Sequence, residues 1–333
     1  MKNAALISSH RNNSVFDSDD KTINRDGCSE PFVLLKETFE RRGVQLNTSD
    51  LVSQSEADYC LYLNYPRGRA PKCRGKAYLL AMESEVIVPE NWNPSNQAKF
   101  RKIFTWFDGS SPQSELVKLN FSANFPAITA KGVNRKEKLC VVIAGNKKVS
   151  HRLELYSERE KTIRWFERHH PKDFDLYGMG WNEFRFSGPR LIRALNRFKP
   201  LVKLLAPTYP SYRGAVASKR EVLQRYWFSI CYENARDIPG YITEKIFDCF
   251  FAGCVPIYWG ANNITDHIPP ECFIDRREFE THEALYHYLV SMSNERYQAY
   301  LDAIEVYLES EPAYPFTAEY FAETIVNEIL GDE

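Results

Sequence analysis

The sequence predicts an α/β protein of two domains, each built on a parallel sheet. Three observations carry this expectation. The chain has 333 residues, long for one ordinary domain and comfortable for two. Apolar, β-branched runs alternate with amphipathic stretches in both halves. Between the halves, around Ser110 to Asn134, the pattern dissolves into polar sequence that reads as an interdomain linker. The boundary is placed there, with residues 1–130 as the first domain and 131–333 as the second.

"AALIS" reads as the first strand. "PFVLLKETFERRG" follows as an amphipathic helix, with Phe32, Leu35 and Phe39 near one face and Gly43 as the stop. "ADYCLYLNY" and "KAYLLAM" are buried strands, while "KFRKIFTWFD" fits a short helix or a strand equally. The second half opens on "EKLCVVIAG", a strand entering a Gly-Asn turn. "SEREKTIRWFERHH" is a helix that keeps Ile163 and Phe166 on one side and ends before Pro171. "FDLYGMGW" is strand and turn, "SKREVLQRYWFSICYEN" a helix running into a strand, and "CVPIYWG" a further strand. "AEYFAETIVNEIL" is a short amphipathic C-terminal helix, expected to pack back on the N-terminal domain or to touch a membrane.

Composition narrows the function classes. Net charge is -1, which argues against bulk nucleic-acid binding. Aromatics at 14% allow large cores or sugar-stacking surfaces. The opening "MKNAALISSH" is too short in its apolar run for a signal peptide, and no segment reaches the roughly 18 apolar residues of a membrane span. The reading is a cytoplasmic chain, or one trimmed of an anchor, with peripheral membrane contact left open. The eight cysteines contain no CxxC pair and read as free core thiols in a reducing compartment.

The segment "GYITEKIFDCFFAGCVPIYWG" (240–260) poses a question. Ile246, Phe247, Phe250 and Phe251 mark a buried helix face, and Gly253 its end. Thr243, Glu244 and Lys245 then fall in the first turn, where free N–H groups and the positive end of the dipole suit an anion. A lysine there is locally unfavourable unless a phosphate reverses the sign.

"FSICYENARDIPGYITEKIFDCFFAGCVPIYWG" (228–260) resembles the signature of the α-1,3/1,4-fucosyltransferases, glycosyltransferase family 10, in a bacterial-type form. "IPPECFIDRREF" (268–279) resembles the next block of that family. "MES" (82–84) and "IFTWF" (103–107) resemble its first-domain blocks. The loop between Asn234 and Tyr241 is slightly longer than in animal members, and the proline that often follows Met-Glu-Ser is missing. The resemblance implies a GT-B fold: two Rossmann-like domains, residues 1–130 binding the acceptor and 131–333 the GDP-sugar, with the active site in the cleft between them. It further implies inverting transfer of L-fucose from GDP-β-L-fucose to an N-acetylglucosamine-containing oligosaccharide or lipid-linked glycan, in an α-1,3 or 1,4 linkage. Two alternatives stay open: another GDP-linked deoxyhexose or amino-deoxyhexose donor, and a catalytically silent glycan- or nucleotide-binding protein.

Such transfer needs a base for the acceptor hydroxyl, charge on the leaving diphosphate and alignment of the reactants. Glu83 falls where the family carries its base, at the carboxyl end of a buried strand; Glu85, two residues on, is the rival. Arg159 is implied as a diphosphate cation, with Arg152 as its rival and a solvated helix face as the bland reading. Lys245 joins it. Tyr241 and Asn234 could reach phosphate oxygens, although Asn234 also suits a plain turn. Glu244 could take the ribose hydroxyls or simply stabilise the dipole. Glu233 could bond sugar hydroxyls or sit in an edge salt bridge. Tyr212, Arg213 and Lys219 could contact the base. "DSDD" (17–20) reads as solvated charge, and His169-His170 as a helix C-terminal cap. Two cations and a helix N-terminus can meet the diphosphate charge, so no metal is expected to be required, with room for stimulation by a divalent cation.

Overall fold

The computed structural model describes residues 2–20, 23–66, 68, 70–110, 115–126, 136–184, 186 and 189–331. The expected boundary at residues 130 and 131 lies outside them. In chain order the first half holds β1 (Lys2–Ile7), α1 (Glu30–Arg41), β2 (Val44–Thr48), β3 (Tyr59–Leu63), β4 (Lys76–Ala81), α2 (Pro94–Gln97), β5 (Lys102–Thr105) and β6 (Glu115–Lys118). These strands form one all-parallel sheet in the order β2-β1-β3-β4-β5-β6. The second half holds β7 (Lys138–Ile143), α3 (Tyr156–His169), β8 (Phe174–Tyr177), α4 (Arg190–Ala194), α5 (Lys199–Leu204), α6 (Lys219–Leu223) and β9 (Tyr226–Tyr232). It continues with α7 (Glu244–Phe251), β10 (Val255–Trp259), β11 (Ile274–Asp275), α8 (His282–Val290), α9 (Asn294–Leu308) and α10 (Ala318–Leu330). Its sheet is also parallel, in the order β11-β10-β9-β7-β8. Two doubly wound sheets with a shared cleft make this a GT-B architecture.

Burial explains the strand pattern. β3 and β4 are covered on both faces, so they read as continuous apolar runs rather than alternating ones. Tyr78 and Leu80 enter one core with α1 and α10, while Tyr62 and Leu79 enter another on the opposite face. The second sheet has a single large core that includes Phe166, Phe174, Phe228 and Phe247. α10 crosses back to the first domain: Ile325 and Ile329 are fully buried in its core, and Phe321 meets Phe32 edge-on at 5.7 Å. The apolar face of α10 is therefore spent inside the protein.

Two expectations need correction, and one open alternative is resolved. The supposed linker carries β6, the edge strand of the first sheet, which polar Glu115 and Lys118 disguise. "KFRKIFTWFD" resolves to a strand, β5, because all four residues Lys102–Thr105 are buried between β4 and β6. Cys60 and Cys73 are paired as a disulfide, which ties β3 to the loop before β4. Cys28 is an exposed free thiol, and only Cys140, Cys231, Cys249, Cys254 and Cys272 are the buried thiols that were expected.

Candidate active site

In the second sheet strand order reverses at β7, which has β8 on one side and β9 on the other. The carboxyl ends of β7 and β9 thus open a crevice, the place where such sheets bind ligands. A cleft of ≈ 390 Å³ occupies it. Ala144 and Gly145 after β7, and Tyr232 and Asn234 at the end of β9, form its base. Tyr156 and Arg159 of α3 and the first turn of α7 form its walls, and Glu83 and Phe121 close it from the first domain.

The first turn of α7 is assembled on a buried acid. Glu233 is 0% exposed. Its Oε1 accepts from the Thr243 backbone N–H at 2.8 Å, and its Oε2 accepts from the Thr243 hydroxyl at 2.7 Å and the Lys245 ammonium at 3.0 Å. Lys245 also donates to the Thr243 hydroxyl at 2.7 Å. Of the two readings open for Glu233, a sugar contact or an edge salt bridge, the structure gives an ion pair, buried rather than at an edge: the carboxylate lies behind Thr243 and Lys245 and fixes both. This answers why an acid and a base stand at the mouth of an apolar helix. Burial opposes the charge of Lys245, but Glu233 and Glu244 more than offset it and raise its pKa, so the ammonium is held charged beside free helix N–H groups. Glu244 lines the cleft. Burial works against its carboxylate, yet Lys245 and Lys219 prevail and hold its pKa below the ordinary carboxylate value.

Arg159 is 3% exposed. Its guanidinium donates to the carbonyls of Tyr232 at 2.7 Å and Glu233 at 3.2 Å, which pins it to the end of β9 while it lines the cleft. Burial lowers its pKa, with Tyr156 and Glu233 acting in the opposite sense. The rival Arg152 is exposed and lines no part of the cleft. Tyr241 is 1% exposed, packs tilted against Trp106 at 4.6 Å between ring centres, and carries a buried hydroxyl whose polar neighbour is the equally buried Ser84 hydroxyl. Two buried hydroxyls with only each other for company on a cleft wall leave a donor for an acceptor in the cleft. Gly240 precedes it at φ 78°, in contact with the Trp106 carbonyl.

Glu83 comes from a rigid corner just past β4. Its N–H donates to Asn64 Oδ1 at 2.9 Å, and its carbonyl accepts from Asn91 Nδ2 and Trp92 Nε1, each at 3.1 Å. The preceding Met82 carbonyl accepts from Trp106 Nε1 at 2.7 Å. Burial pushes the Glu83 carboxyl above its ordinary value; Lys245 and Lys147 pull it down, and Glu244 and Glu233 push it up. Glu85 turns elsewhere, 3.8 Å from His151, and does not line the cleft. β4 stops at Ala81, so no strand continues to carry Glu85 onto the same face as Glu83.

Glu83 lies at a junction. A second lobe of ≈ 350 Å³ extends from it between the domains, lined by Phe32, Asn64, Met82 and Phe251. Both lobes share Glu83, Glu244 and Lys219.

Of the possible base contacts, only Lys219 reaches the cleft, where it pairs with Asp248 at 2.6 Å. Arg213 is taken by Asp175 at 2.7 Å, and the Tyr212 hydroxyl by the Gly178 carbonyl at 2.8 Å. The sequence reading missed Arg25 and Lys147, which both line the cleft. Lys147 follows the Gly-Asn turn after "VVIAG", the signal that could have found it. Arg25 comes from the distant N-terminal loop, where its guanidinium donates to the Val216 carbonyl at 3.0 Å and no local pattern marks it. Among the described residues no cluster of three or more His, Cys, Asp or Glu is placed to hold a metal ion.

Comparison with known proteins agrees with the fold and bears on the family. A sequence model described as glycosyltransferase family 10 (fucosyltransferase), C-terminal part, matches residues 133–313. An alpha-(1,3)-fucosyltransferase of Helicobacter pylori is 34% identical over 89 residues, 27% of this chain and 18% of that one. An alpha-(1,4)-fucosyltransferase of Arabidopsis thaliana is 34% identical over 73 residues, 22% of this chain and 18% of that one. The matched stretches thus span less than a fifth of these relatives' length. In fold, a crystal structure of an alpha1,3-fucosyltransferase with GDP aligns over 100% of this chain and 91% of its own, with TM-score 0.56 and 13% identity. An alpha-glucosyltransferase in complex with UDP and DNA aligns over 99% and 100%, with TM-score 0.59 and 11% identity.

Proposed function

The chain belongs to glycosyltransferase family 10, and from that membership we propose that it transfers L-fucose from GDP-β-L-fucose to a hydroxyl of an N-acetylglucosamine-containing glycan. The transfer inverts the anomeric centre in one displacement and gives an α-1,3 or 1,4 linkage. One observation carries this reading: a single cleft in which Glu83 of the first domain confronts Arg159, Lys245 and the start of α7 from the second.

In this mechanism GDP lies on the second domain. Its diphosphate meets Lys245, Arg159 and the N–H groups of α7, which stabilise the charge that builds as the sugar departs. The Tyr241 hydroxyl and Asn234 add donors to phosphate oxygens, and Glu244 accepts from the ribose hydroxyls. Glu233 and Thr243 touch no substrate; they hold Lys245 in place. The acceptor, an oligosaccharide or a lipid-linked glycan, enters the second lobe and presents its hydroxyl at the junction where Glu83 stands. There Glu83 takes the proton, and its raised pKa makes it a stronger base than an exposed carboxylate. The oxygen then attacks the anomeric carbon on the face opposite the leaving GDP. Because protein cations and a helix terminus meet the diphosphate charge, transfer proceeds without an added divalent ion, which raises the rate at most modestly.

The test combines a titration with a transfer assay, both in chelator. GDP and GDP-fucose bind tightly, GDP-mannose and UDP-N-acetylglucosamine weakly, and Glu83→Gln loses transfer but keeps GDP affinity. Binding that favours the UDP-sugar, or transfer that survives in Glu83→Gln, overturns the assignment. Tight GDP binding with turnover of a different GDP-deoxyhexose moves the donor, and GDP binding without any turnover leaves a silent binder.

A further inference from the structure

Exposed apolar side chains are not spread evenly over this protein. Twelve large ones are exposed among the described residues, and eight of these lie between Met179 and Leu205, in the excursion from β8 to α6. Leu191 is 85% exposed, Leu204 81%, Met179 68% and Phe198 59%. The same stretch is basic: residues 179–205 contain six Arg or Lys and one acid, Glu183, in a chain whose net charge is -1. Arg190, Arg193, Arg197 and Lys203 are exposed and form no ion pair among the described residues, while Lys199 reaches Glu183 at 3.1 Å.

The excursion is built, not loose. Val202 is 1% exposed and anchors it. The Phe184 N–H donates to the Val202 carbonyl at 2.9 Å, and the Asn196 side chain bonds both the N–H and the carbonyl of Phe186, at 2.8 and 2.9 Å. One buried valine and a set of backbone bonds thus hold out Leu, Ile and Phe tips that are interleaved with guanidinium and ammonium groups. Leu191 and Ile192 stand between Arg190 and Arg193; Phe198 stands between Arg197 and Lys199.

We propose that the face formed by residues 179–184 and 189–205 docks on a bilayer surface carrying anionic headgroups. The composition decides between occupants. Apolar tips gain by entering the headgroup and acyl boundary, and the basic groups around them gain from anionic lipid, each strengthening the other. A nucleic acid would satisfy the arginines but leave the leucine and isoleucine tips in water. A buried protein interface would have to desolvate four unpaired cations. The surface differs from the C-terminal helix, whose apolar face is covered by the first domain. No helix among the described residues is long and apolar enough to cross a membrane, so the contact is peripheral. Gly178 and Met179, at the start of the excursion, line the cleft. Docking therefore brings the cleft rim to headgroup level, which suits a lipid-linked acceptor under the function proposed above; the docking itself does not depend on that function.

The experiment is co-sedimentation of the full chain with vesicles of phosphatidylcholine alone or mixed with phosphatidylglycerol, in the absence of nucleotide. Binding to the anionic vesicles is expected to be at least about tenfold tighter and to weaken as salt is raised. Leu191→Ser/Leu204→Ser and Arg190→Glu/Arg193→Glu/Arg197→Glu should each lose at least about tenfold. Both variants should keep the unfolding midpoint and GDP affinity of the unaltered chain, which shows that the fold and the nucleotide cleft are intact. Equal or absent binding to the two vesicle types overturns the proposal. So does binding that both variants retain, or binding to a DNA duplex in place of vesicles. Because the GDP titration involves no lipid, failure here is distinguishable from failure of the transferase reading.

Discussion

Replacing Glu233 by glutamine tests the structural explanation of the cleft most directly. In the native protein its two carboxylate oxygens accept from the Thr243 N–H, the Thr243 hydroxyl and the Lys245 ammonium at 2.7–3.0 Å, in a site with no exposure. Glutamine keeps one acceptor oxygen and aims an N–H₂ group at donors. Removing one partner of a buried ion pair costs about 3–5 kcal/mol. The Lys245 side chain remains 23% exposed and keeps Glu244 at 3.8 Å, so the lower end applies, about 3 kcal/mol. That is a large part of the roughly 5–15 kcal/mol of a typical fold. The same change frees Lys245 to leave the first turn of α7, and GDP affinity should fall by about tenfold or more, the size of one lost charge-assisted hydrogen bond. Denaturant unfolding gives the first quantity and calorimetric GDP titration the second. Stability within about 0.5 kcal/mol of native, combined with lost transfer, would refute the reasoning and return Glu233 to a direct role on the sugar.

Glu83→Gln should lower transfer by about 10²–10⁴-fold, the usual contribution of a positioned base. In the native protein kcat/KM should fall as pH drops through a pKa above the ordinary carboxylate value, because only the ionised form accepts the proton. The sign for stability is opposite: a raised folded pKa means the stabilising contribution is present at low pH and is lost as pH rises through that pKa, so Glu83→Gln should unfold at higher temperature than native protein at neutral pH. Tyr241→Phe removes a buried hydroxyl whose polar neighbour is Ser84, so the free protein should change in stability by no more than about 1 kcal/mol, while GDP binding weakens; unchanged GDP binding would remove Tyr241 from the phosphate site. Gly240→Ala places a Cβ 2.3 Å from the Trp106 carbonyl at a positive φ of 78°, and should cost about 2–4 kcal/mol by thermal or chemical unfolding.

The elements legible in the sequence share a physical cause: doubly covered parallel strands must be apolar through their buried stretches, and β3, β4, β7, β9 and β10 are, with Lys76, Lys138 and Ser229 as the exceptions. β6 was lost in a presumed linker because an edge strand pairs on one side and tolerates Glu115 and Lys118. α8 and α9 were passed over because their apolar residues mix with tyrosines and charges along the helix. The Cys60–Cys73 pair could not be read from spacing, since only the folding of the loop onto β3 brings the two together.

The sequence by itself determined the alternating α/β plan and the first turn of α7, where Thr243, Glu244 and Lys245 are neighbours in the chain and fall together in any helix that starts there. It could not determine what stands across the cleft. Glu83 and Glu85 are equivalent acids until β4 ends at Ala81 and the clamp of Asn64, Asn91 and Trp92 leaves Glu83 on the cleft while Glu85 turns toward His151. Arg159 and Arg152 are equivalent until α3 packs on the end of β9 and buries only one of them. Glu233 is separated from Lys245 by 12 residues, and only the closure of the intervening loop turns a candidate sugar ligand into the buried anion that holds the lysine. Local pattern fixes what a residue can be within its own element; contact between elements, burial and the pairing of charges fix which of several equal candidates takes the role.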